Sequence, residues 1–153
     1  MPASPKQINA FTFFKLPSAF WSGVRVKEIS KNQCVTSIKL RWFNQNPFKS
    51  MFWASQGMAA ELSTGALVMS CIKDSQAPIS MLVAQNRASF FKKAIGRINF
   101  TCIDGEAILD AITKAVETKE GRTCWMKSVG RNEQGEEVSC FEFEWTVKLR
   151  SKS

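Results

Sequence analysis

The chain has 153 residues, 44% of them hydrophobic and 22% charged, enough for one globular domain with a real core and too apolar for a disordered segment. Its net charge of +8 favours anionic partners (phosphate-bearing cofactors, nucleic acid or acidic membrane surfaces), but the basic residues form no run of five, which argues against a nucleic-acid footprint. Histidine is absent, which removes Ser-His and Cys-His nucleophile pairs, histidine bases and every His-containing metal site.

In chain order, Ile8, Phe11 and Phe14 recur at helical spacing, predicting a helix over about 1–16 that ends before Pro17. Val24, Val26 and Ile29 suggest a strand. Cys34, Thr36, Ile38, Leu40 and Trp42 alternate with Val35, Ser37, Lys39 and Arg41, the period of two that marks another. Asn44 to Pro47 break it. Ser50 then reads as the N-cap of a central helix over 50–72.

That helix is apolar on every side and carries one charge, Glu61. An ionised carboxylate there is costly unless it is paired, hydrogen-bonded or neutralised by a raised pKa. Gly57 and Gly65, four residues before and after, remove side chains from the neighbouring turns, and Thr64 offers a hydroxyl within reach. A lone acid given room on an apolar helix points to a site.

Beyond a loop at 74–78, β-like runs cover 79–91 and 97–103 with Gly96 as the turn between them, and Ala107, Ile108, Ala111, Ile112 and Ala115 predict an amphipathic helix over 105–120. A hairpin closes the chain: 123–129, a turn at 132–135, then 138–149 with Phe141, Phe143, Trp145, Val147 and Leu149 on one face. The expected fold is α+β, a curled antiparallel sheet of five to six strands wrapped around one long central helix. The whole of 1–153 forms a single domain in this reading. One sheet cannot cover all sides of that helix, so a homodimer is expected. Five cysteines, Cys34, Cys71, Cys102, Cys124 and Cys140, occur without CxxC spacing, which suggests a reducing compartment and no metal. The polar residues inside the 50–72 segment argue against a membrane span, so the chain reads as soluble and cytoplasmic.

The succession Asn46-Pro47-Phe48-Lys49-Ser50, Met51-Phe52-Trp53-Ala54 and Met58-Ala59-Ala60-Glu61-Leu62 resembles the central-helix region of hot-dog-fold thioesterases. It is most similar to a small bacterial branch classed as a domain of unknown function, related to the phenylacetate-pathway type of acyl-CoA thioesterase. The order of elements from about Leu16 to Arg150 fits that hot-dog fold. The resemblance implies that Glu61 serves as general base or nucleophile toward a thioester carbonyl. It implies an oxyanion donor at the backbone N–H near Trp53, with Asn46 positioning the attacking water and Thr64 or the Gly65 backbone assisting Glu61. Arg87, Lys92, Lys93 and Arg97 would meet the phosphates of coenzyme A, which enters as part of the substrate, with no separate cofactor. A homodimer or dimer of dimers is implied as well. Many members of the superfamily carry His-Gly-Gly at the helix start, where this chain has Phe52-Trp53-Ala54. A non-catalytic protein that binds an acyl chain or acyl-CoA is therefore the alternative reading.

Overall fold

The computed structural model describes residues 3–151. Helix α1 (Pro5–Lys15) opens on a capping box: Ser4 Oγ accepts from the Gln7 N–H, and Gln7 returns the contact to the Ser4 N–H. It stops at Leu16 because Pro17 cannot continue it, yet Pro17 suits the first position of a second short helix, α2 (Pro17–Trp21). The expected amino-terminal helix thus ends at Lys15 as predicted, and α2 is an additional helix that the sequence reading did not include.

Six strands follow: β1 (Arg25–Ile29), β2 (Cys34–Lys39), β3 (Ile79–Phe90), β4 (Arg97–Cys102), β5 (Arg122–Arg131) and β6 (Glu137–Leu149). They form one antiparallel sheet in the order β1-β2-β4-β5-β6-β3, curled around helix α3 (Trp53–Ser75) in the hot-dog arrangement. The β3–β4 connection is not the simple turn expected at Gly96. β3 pairs with β6 at one edge, whereas β4 lies between β2 and β5, so residues 91–96 carry the chain back across the sheet. The β5–β6 hairpin forms as read, with Phe141, Phe143, Trp145 and Val147 buried on its inner face.

Helix α3 starts three residues later than predicted, and Ser50 is not its cap. Asn46 Oδ1 accepts from the N–H groups of Phe48 (2.9 Å) and Ser50 (3.2 Å), and Asn46 Nδ2 donates to Ser50 Oγ (3.0 Å). That turn consumes the serine, and the helix begins after Phe52 without a side-chain cap. At the far end it absorbs Asp74 and Ser75, assigned above to a loop, and closes on Gln76 in the left-handed region (φ 56°).

The side of α3 away from the sheet was expected to need a second molecule. Within this chain, helix α4 (Gly105–Thr118) packs beside α3 against β5 and β6, burying Ile108, Ala111, Ile112 and Ala115, while Ala107, placed on the same face above, stays exposed. At the other end of the sheet, Asn9 of α1 grips β1. Its amide donates to the Val26 carbonyl (3.0 Å) and accepts from the Val26 N–H (2.8 Å). No helix among the described residues is long and apolar enough to cross a membrane.

Candidate active site

Glu61 lies in the middle of α3, largely buried, and burial raises its carboxyl above the ordinary carboxylate range. Among the described residues its carboxylate makes no ion pair and accepts no hydrogen bond. The two glycines flanking it are not empty space. A Cβ on Gly57 would lie 3.4 Å from a Phe141 ring carbon, and one on Gly65 would lie 3.2 Å from Trp145 Cζ2 and 3.8 Å from Glu61 Oε1. The glycines admit the aromatic rings of β6, and those rings set the walls around the acid.

Thr64 is occupied elsewhere. It accepts from Trp145 Nε1 (2.9 Å) and donates to the Glu61 backbone carbonyl (2.9 Å), so it ties α3 to the sheet rather than touching the Glu61 carboxylate. Asn46 likewise spends its side chain on the loop before the helix, and it faces a cleft that Glu61 does not line.

Two cavities meet at Glu61. One, of about 340 Å³, is lined by Trp53, Ala54, Gly57, Met58, Asn86 and the rings of Phe141 and Phe143. The other, of about 360 Å³, lies under the α1–α2 turn, Lys15 to Ala19, with Met58 and Leu62 as its floor. The first reaches the start of α3. There the N–H groups of Ser55 and Gln56 turn back to the Phe52 carbonyl, whereas those of Trp53 and Ala54 have no acceptor among the described residues. Free donors at the positive end of a 23-residue helix suit a developing oxyanion.

The four basic candidates do not converge. Lys92 and Lys93 line a cleft of about 410 Å³ at the helix start, with Asn46 and Trp53 on its other wall, although Lys92 also pairs with Glu136. Arg87 pairs with Glu142 and lies over the Trp125 ring, 4.6 Å from its centroid. Arg97 donates to Ser37 Oγ (2.9 Å). Sequence reasoning missed Asn86, which the β3–β6 register sets opposite Phe143, and the α1–α2 roof. Burial raises all five cysteine thiols, Cys34 and Cys102 up to about 12 and Cys124 up to about 11, which disfavours the thiolate that a competing nucleophile would need.

A family model, the domain of unknown function DUF4442, matches residues 5–147. The chain belongs to the DUF4442 family. The DUF4442 chain is similar in fold to a Pseudomonas aeruginosa protein of unknown function described as a probable thioesterase (TM-score 0.82, 21% identity, 98% of this chain and 99% of that one). It is also similar to a Chlorobaculum tepidum protein of unknown function (TM-score 0.82, 15% identity, 97% and 99%). A Haemophilus influenzae thioesterase shares the fold as well (TM-score 0.71, 9% identity, 97% and 93%). A search of curated proteins finds no match to this sequence.

Proposed function

We propose that this DUF4442 protein hydrolyses acyl thioesters, acyl-CoA among them, with Glu61 as base or nucleophile. The observation that carries this reading is the largely buried Glu61 carboxylate at the meeting point of two cavities, with no ion pair or hydrogen bond among the described residues. As a base, Glu61 takes a proton from water while the water oxygen bonds to the thioester carbon. The carbonyl oxygen becomes an oxyanion held by the Trp53 and Ala54 N–H groups at the helix start of a second protomer. The C–S bond then breaks, and the proton passes from Glu61 to the departing thiolate. Histidine is not needed for this.

Trp53 and Glu61 are eight residues apart on one helix, about 12 Å along the axis, and the first-turn N–H groups point away from the acid. One carbonyl cannot sit within hydrogen-bond reach of both. A second copy, related by a two-fold axis, brings the helix start of one protomer to the acid of the other. β3 supports that assembly, because it forms an edge of the sheet along twelve residues and leaves alternate backbone groups unpaired on its outer side. Lys92 and Lys93 beside the helix start would then meet the phosphates of coenzyme A, with Asn86 available to hold water.

Assay of an acyl-CoA panel with the wild type and Glu61→Gln tests the reading. Turnover by the wild type, reduced by about 10²–10⁴-fold in the variant, supports it; equal turnover removes Glu61 from the mechanism. One observation favours a second reading, a non-catalytic acyl binder: Trp53, 57% exposed, stands at the helix start where many relatives in the superfamily have glycine. Saturable acyl binding without turnover would select it.

A further inference from the structure

The charge of this chain is spread unevenly. The first 60 residues hold eight lysines and arginines and one acid, Glu28, a net charge of +7; the remaining 93 residues add +1. Part of that stretch, the α1–α2 segment with Lys15 and the nearby Arg25 and Arg41, forms a surface crowded with aromatic rings. The Phe13 ring centroid lies 4.9 Å from Phe14, 5.0 Å from Phe20 and 6.2 Å from Trp21. Phe14 and Trp21 are 75% and 65% exposed. Arg25 fixes the base of this cluster, its guanidinium 3.6 Å from the Phe20 ring centroid and donating to the Phe20 carbonyl (2.7 Å). Asn44 ties the neighbouring turn to the end of α2 through the Ser22 carbonyl (2.9 Å), which brings up Arg41 and Trp42, the latter 83% exposed. Among the described residues neither Arg25 nor Arg41 has an ion-pair partner.

Clustered exposed rings mark an interaction surface, and the charge around them selects the occupant. A second copy placed over this face by a two-fold axis would set these arginines against their own counterparts. An anionic lipid surface suits both features: phosphates receive the cations, and Phe and Trp rings settle at the headgroup boundary. We infer that the α1–α2 surface docks this protein peripherally on anionic lipid bilayers. The junction of the two helices, from Lys15 at the end of α1 to Ala19 in α2, is also the roof of the cavity that reaches Glu61, so docking sets that roof against the bilayer. The docking stands without the hydrolase reading; only the delivery of a lipid-borne acyl group to Glu61 rests on it.

Co-sedimentation of the full chain with mixed phosphatidylglycerol–phosphatidylcholine vesicles and with pure phosphatidylcholine vesicles tests the proposal. Binding to the mixed vesicles alone, falling as salt rises, is the expected result. Lys15→Gln and Arg41→Gln should each weaken it about fivefold, and Phe14→Ser combined with Trp21→Ser about tenfold. Equal partition into both vesicle types overturns the proposal, as does unchanged binding by these variants. It also fails if the double aromatic variant has a lower mass in solution, which makes the face an interface between copies, or if duplex DNA competes the vesicles off. Should that variant not fold, Arg41→Gln and the salt series on the wild type decide alone. Turnover of a short-chain soluble thioester is measured in parallel, so a protein that binds vesicles but hydrolyses nothing sinks only the hydrolase reading.

Discussion

Glu61 ionises where charge is disfavoured. Because burial raises its pKa above the unfolded value near 4.5, the stability that goes with its protonated form is fully present below about pH 4.5 and is lost as pH rises through the folded pKa. Glu61→Gln should therefore melt above the wild type at about pH 8, with the difference closing at about pH 4. A wild type that melts higher at the alkaline end would mean that the carboxylate has found a partner. The same shift moves catalysis: the acid limb of kcat/KM should break above the ordinary glutamate range, because only the ionised form accepts a proton from water. Glu61 was legible in the sequence because it is the one charge in a long apolar run. The companions expected from neighbouring positions were not. Thr64 faces Trp145, a residue 81 positions along the chain, and local spacing carries no information about such a contact. Asn86 enters the cavity through strand register with Phe143, which only the folded sheet sets.

At the scale of the element, the start of α3 decides the chemistry. Phe52 sits at φ −60° and ψ 135°, a conformation that a following proline accepts, and proline is tolerated at the first helical position. Trp53→Pro deletes one N–H with the helix start intact, and Trp53→Ala deletes only the ring. If that N–H holds the oxyanion, the proline variant should lose about 10²–10³-fold in kcat relative to the alanine variant; equal rates would assign the donor elsewhere. Another element junction is tighter still. A Cβ on Gly105, where α4 begins, would lie 2.1 Å from the Lys31 carbonyl oxygen and 2.5 Å from Asn32 Cα, backbone atoms that cannot step aside. Gly105→Ala should cost about 3 kcal/mol in denaturant unfolding. Strands and helices were readable from period and alternation, most clearly in the β5–β6 hairpin. The helix boundary was not, because Asn46 captured the serine that local rules assign to capping.

At the scale of the molecule, the acid and the donor on one helix are too far apart to serve one carbonyl, and this makes the proposed assembly testable by mixing. Glu61→Gln and Trp53→Pro protomers, each inactive alone, should regain about a quarter of wild-type activity when refolded together, since half of the mixed dimers' sites are intact. A site contained within one chain would regain nothing. The order of strands in the sheet, unlike their number, was out of reach of the sequence, because the 91–96 crossover carries β4 away from its neighbour in the chain.

The amide of Asn9 acquires a further meaning once β3 is taken as the joining seam. Two chains zipped along their β3 strands would present β1 at both outer ends, and at each end one asparagine already occupies the hydrogen-bonding groups of Val26. Such an assembly would stop growing at two. Replacing Asn9 with leucine should uncover both ends and convert a finite particle into one that lengthens with concentration, visible as rising light scattering in a dilution series.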